Sequence, residues 1–170
     1  MNQIFAAVHV IILLTLGSCD FNTGPEGEPP ASRSENYLPV FMERSALESA
    51  VAFVEPRKVQ SSGKLYIYGK YLFLSERYQG IHIYSNEDPT NPKAIGFIVV
   101  PGCTEVAVKD NVLYCDSAQD LLCLDIRQPQ AVKVLNRYKD VFPEILSPDG
   151  DDAFGYDRPE NTVVCSWKKL

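Results

Sequence analysis

Two stretches of this chain run in parallel about 40 residues apart, and that repeat limits the folds open to it more than any other feature. "YLFLSERYQGIHIYSNEDPTNPKAI" from Tyr71 aligns with "VLYCDSAQDLLCLDIRQPQAVKVL" from Val112. Leu72, Phe73 and Leu74 fall on Leu113, Tyr114 and Cys115. Ile81, His82, Ile83 and Tyr84 fall on Leu121, Leu122, Cys123 and Leu124, and Pro89 falls on Pro129. One residue is absorbed in the loop between the two runs. Upstream, "KLYIYGK" and "EVAVKD" occupy equivalent places. Each unit thus offers about four short strands rich in β-branched and aromatic residues, the content of one propeller blade. "DAFGYDRPENTVVCSW" offers two further strand-like runs and reads as an incomplete third unit. The expected fold is all-β, a partial propeller-like array of two to three four-stranded blades.

One short helix should precede the array. In "MERSALESAVAF", Ser45 and Glu48 have capping-box spacing, Leu47, Ala50, Val51 and Val54 share a helical face, and Pro56 stops the pattern.

The N-terminus sets location. Residues 4–16 are apolar apart from His9 and Thr15. As a helix they reach roughly 20 Å, against the about 30 Å of a bilayer's hydrocarbon core, so they suit a secretory signal better than a span. Residues 1–18 contain no Lys or Arg, which leaves the amino terminus as the only positive charge there. Leu16-Gly17-Ser18-Cys19 resembles a bacterial lipobox. Gly17 and Ser18 are small enough to let a peptidase reach the bond before Cys19, and the Cys19 thiol can carry a diacylglyceryl group. Two or three acyl chains hold a protein on a membrane where one does not. Residues 20–36, "DFNTGPEGEPPASRSEN", are too poor in apolar side chains to fold and read as a tether. The expected organisation is a signal peptide over 1–18, lipidated Cys19 with its tether over 19–36, and a repeat domain over 37–170. Asp20, which follows the lipidated Cys, keeps the choice of membrane open, with the outer membrane favoured.

A formal charge of −6 with no basic cluster argues against nucleic acid and against electrostatic attraction to anionic lipid. Cysteines remain at 103, 115, 123 and 165, an even number that permits disulfides in an exported protein. Cys115 and Cys123 flank "DSAQD". A loop of odd length would bring them face to face, and an even one would set them out of register, as buried thiols. His82 is the only histidine after the tether, its repeat partner Leu122 is apolar, and the cysteine spacing fits no zinc signature. No metal and no cofactor is expected.

"LLCLD" resembles the core of the LVIVD repeat, and "GIHIYSNEDPTNP" its glycine-started strand and Asp-Pro-x-Asn-Pro turn; Asp125 keeps that repeat's Asp, where Ser85 replaces it. Residues 37–146 further resemble a group of Bacteroidota lipoproteins with such repeats. The shared runs, in order, are "FMERSALESAV", "GKLYIYGKYLFLSE", "GIHIY", "DPTNP", "VPG", "AVKDNVLY" and "VFPE". The resemblance implies a lipid-anchored, propeller-like domain and carries over no catalytic residues. Members of the group continue beyond "VVCSW", so a shortened relative is one reading. Open strand edges invite self-assembly or cover by the helix.

The favoured function is a non-catalytic binding scaffold in the cell envelope, with a protein or glycan partner. Its contact surface is expected on the loops around Tyr78, Gln79 and Gln119. The alternative is a glycan-acting enzyme that uses carboxylates at strand ends, Glu76 and Asp116 first and Asp125 next. Tyr78, Tyr84 and Trp167 could stack on sugar rings. Asp149, Asp151 and Asp152 sketch a calcium loop without its full spacing, and a polar turn is the simpler reading.

Overall fold

A computed structural model describes residues 33–170. The expected signal peptide, Cys19 and most of the tether lie outside the described residues. Three antiparallel sheets of two, five and four strands form the body, none closed into a barrel. The first blade is β3 (Ser62–Tyr68), β4 (Tyr71–Glu76), β5 (Gly80–Ser85) and β6 (Lys93–Val99). The second is β7 (Val106–Lys109), β8 (Val112–Ser117), β9 (Asp120–Asp125) and β10 (Lys133–Tyr138). The repeat is therefore structural. Leu65 pairs with Leu74 as Val106 pairs with Cys115, and Phe73 pairs with Ile83 as Tyr114 pairs with Cys123. The absorbed residue lies in the central turn, which spans residues 77–79 in the first blade and 118–119 in the second.

Side chains alternate across a strand, so each blade has two faces. A forward face in blade 1 carries Tyr66, Phe73, Ile81 and Ile83, and it packs on the rear face of blade 2, which carries Val106, Val108, Leu113, Cys115, Leu122 and Leu124. This layer is the main core. Each of its large side chains contributes about 1.5–3 kcal/mol by leaving water. Polar contacts fix the register between the blades. The Tyr66 hydroxyl donates to the Val108 carbonyl at 3.0 Å, and the Ser75 hydroxyl donates to Thr104 O at 3.1 Å.

The remainder corrects two expectations. The helix α1 spans only Arg44–Ser49, with Glu43 at its N-cap and no side-chain cap, so Ser45 and Glu48 form no capping box. Glu48 turns instead to Lys139, 2.6 Å away. Beyond the helix, Ala52–Val54 form β2, which pairs with the outer edge of blade 1 through Ala52–Val99, Phe53–Ile98 and Val54–Phe97. Extended backbone wins there because it lets Val51 and Phe53 reach the main core. Gly96 makes room for the Phe53 ring, whose Cζ would lie 2.1 Å from a Cβ at that position.

The third unit is also not a hairpin. Its first run is a turn, and its second is β11 (Thr162–Lys169), which pairs with β1 (Tyr37–Glu43) from the other end of the described chain. Val164, Trp167 and Ala153 pack with Tyr37, Phe41, Ile145 and Tyr156 into a separate small core. A second cluster of Leu47, Ala118 and Val163 joins that unit to the turn of blade 2.

Gly80 opens β5 with φ +140°, and a Cβ there would lie 2.0 Å from the Ile98 carbonyl oxygen. Backbone cannot yield as a side chain can. Gly80→Ala is expected to cost more than about 3 kcal/mol, read as a drop in the urea midpoint of unfolding, since strain and overpacking act together. Gly69→Ala, whose Cβ would meet nothing within 4 Å, is the control and should pay only for its φ of +56°.

Candidate functional site

The strand-end acids proposed for chemistry all have structural partners. Glu76 ends β4 on the rear side of blade 1 and is fully buried. It accepts the backbone N–H groups of Gln60 and Ser61, which stitches the chain before β3 to the blade. His82 Nε2 donates to its Oε2 at 2.8 Å. Burial pushes the Glu76 carboxyl up, but the hydrogen bonds from His82, Gln60 and Ser61 outweigh it and hold the group below its ordinary range. His82 is itself buried and meets the Phe97 ring edge-on at 4.8 Å. Arg57 lies over that ring, 3.5 Å from its centroid, and donates to the Gln79 side chain at 2.7 Å.

Asp116 plays the corresponding part for blade 2. It accepts the N–H groups of Thr104 and Glu105, both at 2.8 Å, and the Thr104 hydroxyl. Asp125 is held to a pKa of about 2 by the guanidinium and backbone N–H of Arg127 two residues on. Asp149 accepts from Asn36 at 2.9 Å and from Ser34, while Asp152 caps Phe154 N–H. Among the described residues no three His, Cys, Asp or Glu side chains converge as metal ligands, and no helix is long and apolar enough to cross a membrane.

The turns expected to meet a partner are tied inward. Tyr78 adopts φ +65°, donates its N–H to Cys103 O at 2.6 Å and accepts from Gly102 N–H at 2.9 Å. Its counterpart Ala118 has φ +55°, and neighbouring Gln119 accepts the Phe142 N–H at 2.9 Å. Gln79 accepts Val100 N–H on its carbonyl. These turns clamp the connection from one unit to the next. Trp167, offered as a stacking ring, is buried and donates to Ile145 O at 2.9 Å.

Of the two readings for Cys115 and Cys123, a disulfide or buried thiols, the structure has the second. The turn between their strands has two residues, so Cys115 pairs with Leu122 and Cys123 with Tyr114, and the two sulfurs point to opposite faces of the sheet. All four cysteines of the described region are buried free thiols. The neighbouring Cys115 thiol and burial push Cys103 up, and burial does the same for Cys123 and Cys165, which makes them poor nucleophiles.

Sequence reasoning missed a charge cluster centred on a buried carboxylate. Asp120 opens β9 where blade 1 has Gly80 and is fully buried. It accepts from Arg44 at 2.7 Å, Arg137 at 2.8 Å and the Asp140 N–H at 3.1 Å. Arg137 also donates to the Leu47 carbonyl at 3.1 Å. The cluster joins α1, blade 2 and the chain leaving β10. A Gly-to-Asp change between repeat partners was its one trace in the sequence.

A cleft of about 480 Å³ lies on the forward side of blade 2. Tyr114, Leu121 and Ala107 form its floor, Phe142, Pro143 and Ile145 one wall, and Asp116, Glu105 and Glu144 its polar margin. No known protein family, curated protein or solved structure matches the chain.

Burial pushes Asp120 up, but the hydrogen bonds from Arg137, Asp140 N–H and Arg44 leave its carboxyl lowered, as in Glu76. Below the ordinary carboxyl range the unfolded chain therefore binds protons that the folded chain does not, and stability is lost as pH falls through about 4. Asp120→Ala should cost about 3 kcal/mol at pH 7, because it leaves the part-buried Arg137 guanidinium without a carboxylate, while Arg44 keeps Asp140. It should also flatten that acid limb in urea titrations run from pH 7 down to pH 3.

Proposed function

We propose that this chain is a lipid-anchored envelope protein, in the outer membrane, whose blades serve as a non-catalytic interaction scaffold. The lipobox at Leu16-Gly17-Ser18-Cys19, the polar tether behind it and the likeness to LVIVD-repeat lipoproteins support the anchor. The open forward face of blade 2 is the observation that carries the scaffold. It presents Tyr114 and Leu121 from rigid strands beside Phe142, an apolar floor with an acidic margin. Such a surface suits a macromolecular partner better than a small polar substrate.

The carboxylates named for glycoside hydrolysis, Glu76 and Asp116, are instead bound to backbone N–H groups of neighbouring segments. A general acid or a nucleophile needs an oxygen turned to substrate. No observation favours the enzymatic reading over the scaffold.

Two measurements test the proposal. Cells making the full chain should incorporate labelled palmitate into it, and Cys19→Ser should abolish both the label and retention in the membrane fraction; equal labelling of the variant would refute the anchor. A photo-reactive residue at position 114 of the full chain should cross-link to a macromolecule in intact cells. Cross-links that form equally from a residue at exposed position 93 would refute a specific surface there.

A further inference from the structure

The described residues form one finished blade interface, and the two outward faces are the unused halves of the same interface. In blade 2 the rear face is sealed by blade 1: Val106 and Val108 are each 5 % exposed, and Leu113 and Cys115 are 0 % and 2 %. Their repeat partners on the rear face of blade 1 are Leu65, Ile67, Leu72 and Leu74. There Leu65 is 53 % and Ile67 58 % exposed. The residue types are conserved in character between the two faces, but the cover is missing from one. Glu76, His82 and Phe97 on that face are already roofed by the segment carrying Arg57, Gln60 and Ser61, so the open part is the β3 side.

The forward faces show the converse. In blade 1, Tyr66 and Phe73 are seated on Val106, Val108 and Leu113. Their counterparts in blade 2 are Ala107 and Tyr114, and Tyr114 is 36 % exposed on the cleft floor. By the repeat, what fills that cleft is the rear face of a blade, and what covers Leu65 and Ile67 is the forward face of a blade. One molecule carries both.

We propose that the partner of the scaffold face is a second copy of this chain, seated head to tail: the Leu65–Ile67 face of blade 1 in one copy covers the Tyr114 floor of blade 2 in the next. This deepens the scaffold reading by naming the partner of the same face, and it needs neither the lipid nor the anchor. The contact is heterologous, since the two surfaces differ, so each copy keeps one free face until a ring closes. It joins faces of sheets rather than their strand edges, and buried apolar side chains rather than backbone hydrogen bonds hold it.

The test uses residues 20–170, which retain every described residue and so both cores, in sedimentation equilibrium over a concentration series. The unaltered chain should reach at least twice its monomer mass. Ile67→Asp should spoil one face and Tyr114→Asp the other. Both sites are partly exposed in the single chain, so each variant should keep its thermal midpoint; Leu65→Lys and Ala107→Lys stand in for either that does not. Each variant alone should be monomeric. An equimolar mixture should form a 1:1 heterodimer and stop there, because it has one intact copy of each face.

A monomeric unaltered chain overturns the proposal. So does a dimer that survives Tyr114→Asp, or a mixture that stays monomeric, since either means an isologous or unrelated contact. If the chain is monomeric while position 114 still cross-links to a different macromolecule in cells, self-pairing fails and the scaffold reading stands. If position 114 cross-links to nothing, both fail.

Discussion

The contact between two sheets, forward face on rear face, is the interaction on which the described structure rests. It exists because apolar residues follow one another in β4, β5, β8 and β9, as in Leu72-Phe73-Leu74 and Leu121-Leu122-Cys123-Leu124, so that both sides of a blade are apolar. A sheet with two apolar sides cannot be satisfied by one neighbour. Blade 1 spends its forward side on blade 2 and roofs half of its rear side with the segment around Arg57. Blade 2 has its rear side covered and its forward side partly flanked by residues 142–145. The cleft is thus the shape of an unfilled position in a stack, lined by the residue types that fill the neighbouring position.

Carboxylates serve this stack as fasteners. Each of Glu76 and Asp116 accepts backbone N–H groups from the segment that leads into the innermost strand of its blade. That segment would otherwise hold buried donors without acceptors, which is costly. Asp120 does the same for the chain leaving β10 and adds two guanidinium groups, which brings α1 against blade 2. In a sequence these acids resemble a catalytic pair because they recur at strand ends. Both are held by backbone N–H groups, Glu76 fully buried and Asp116, one place earlier in its strand, at the margin of the cleft.

Much of the architecture was legible in the residues. Short apolar, β-rich runs such as "YLFLSE" and "LLCLD" specify strands, and the offset between the two runs places both blades and even the extra residue of one turn. What was hidden depends on separation in the chain or on backbone geometry. Nothing local in "YLPVFME" says that its partner is "TVVCSWKK", because pairing at that distance is chosen by what remains unpaired elsewhere. Tyr78 and Ala118 adopt positive φ without being glycine, so the turn signal that Gly or Asn would provide was missing. The helix was over-read for a related reason: "AVAF" fits either period, and a free sheet edge beside β6 decided for strand. The Cys115–Cys123 question turned on a loop length that differs by one residue between odd and even.

Pairing β1 with β11 has a consequence for the order in which the molecule is completed. Tyr37 meets Lys169 and Glu43 meets Thr162, so the earliest strand of the body waits for the last to emerge. The hairpins of the two blades close over short distances and can form while β1 is still without its partner. Until β11 is made, β1 therefore remains an unpaired edge, and the small core around Trp167 is the final part to set. Whatever covers β1 in that interval acts on a half-made sheet whose other half is still arriving.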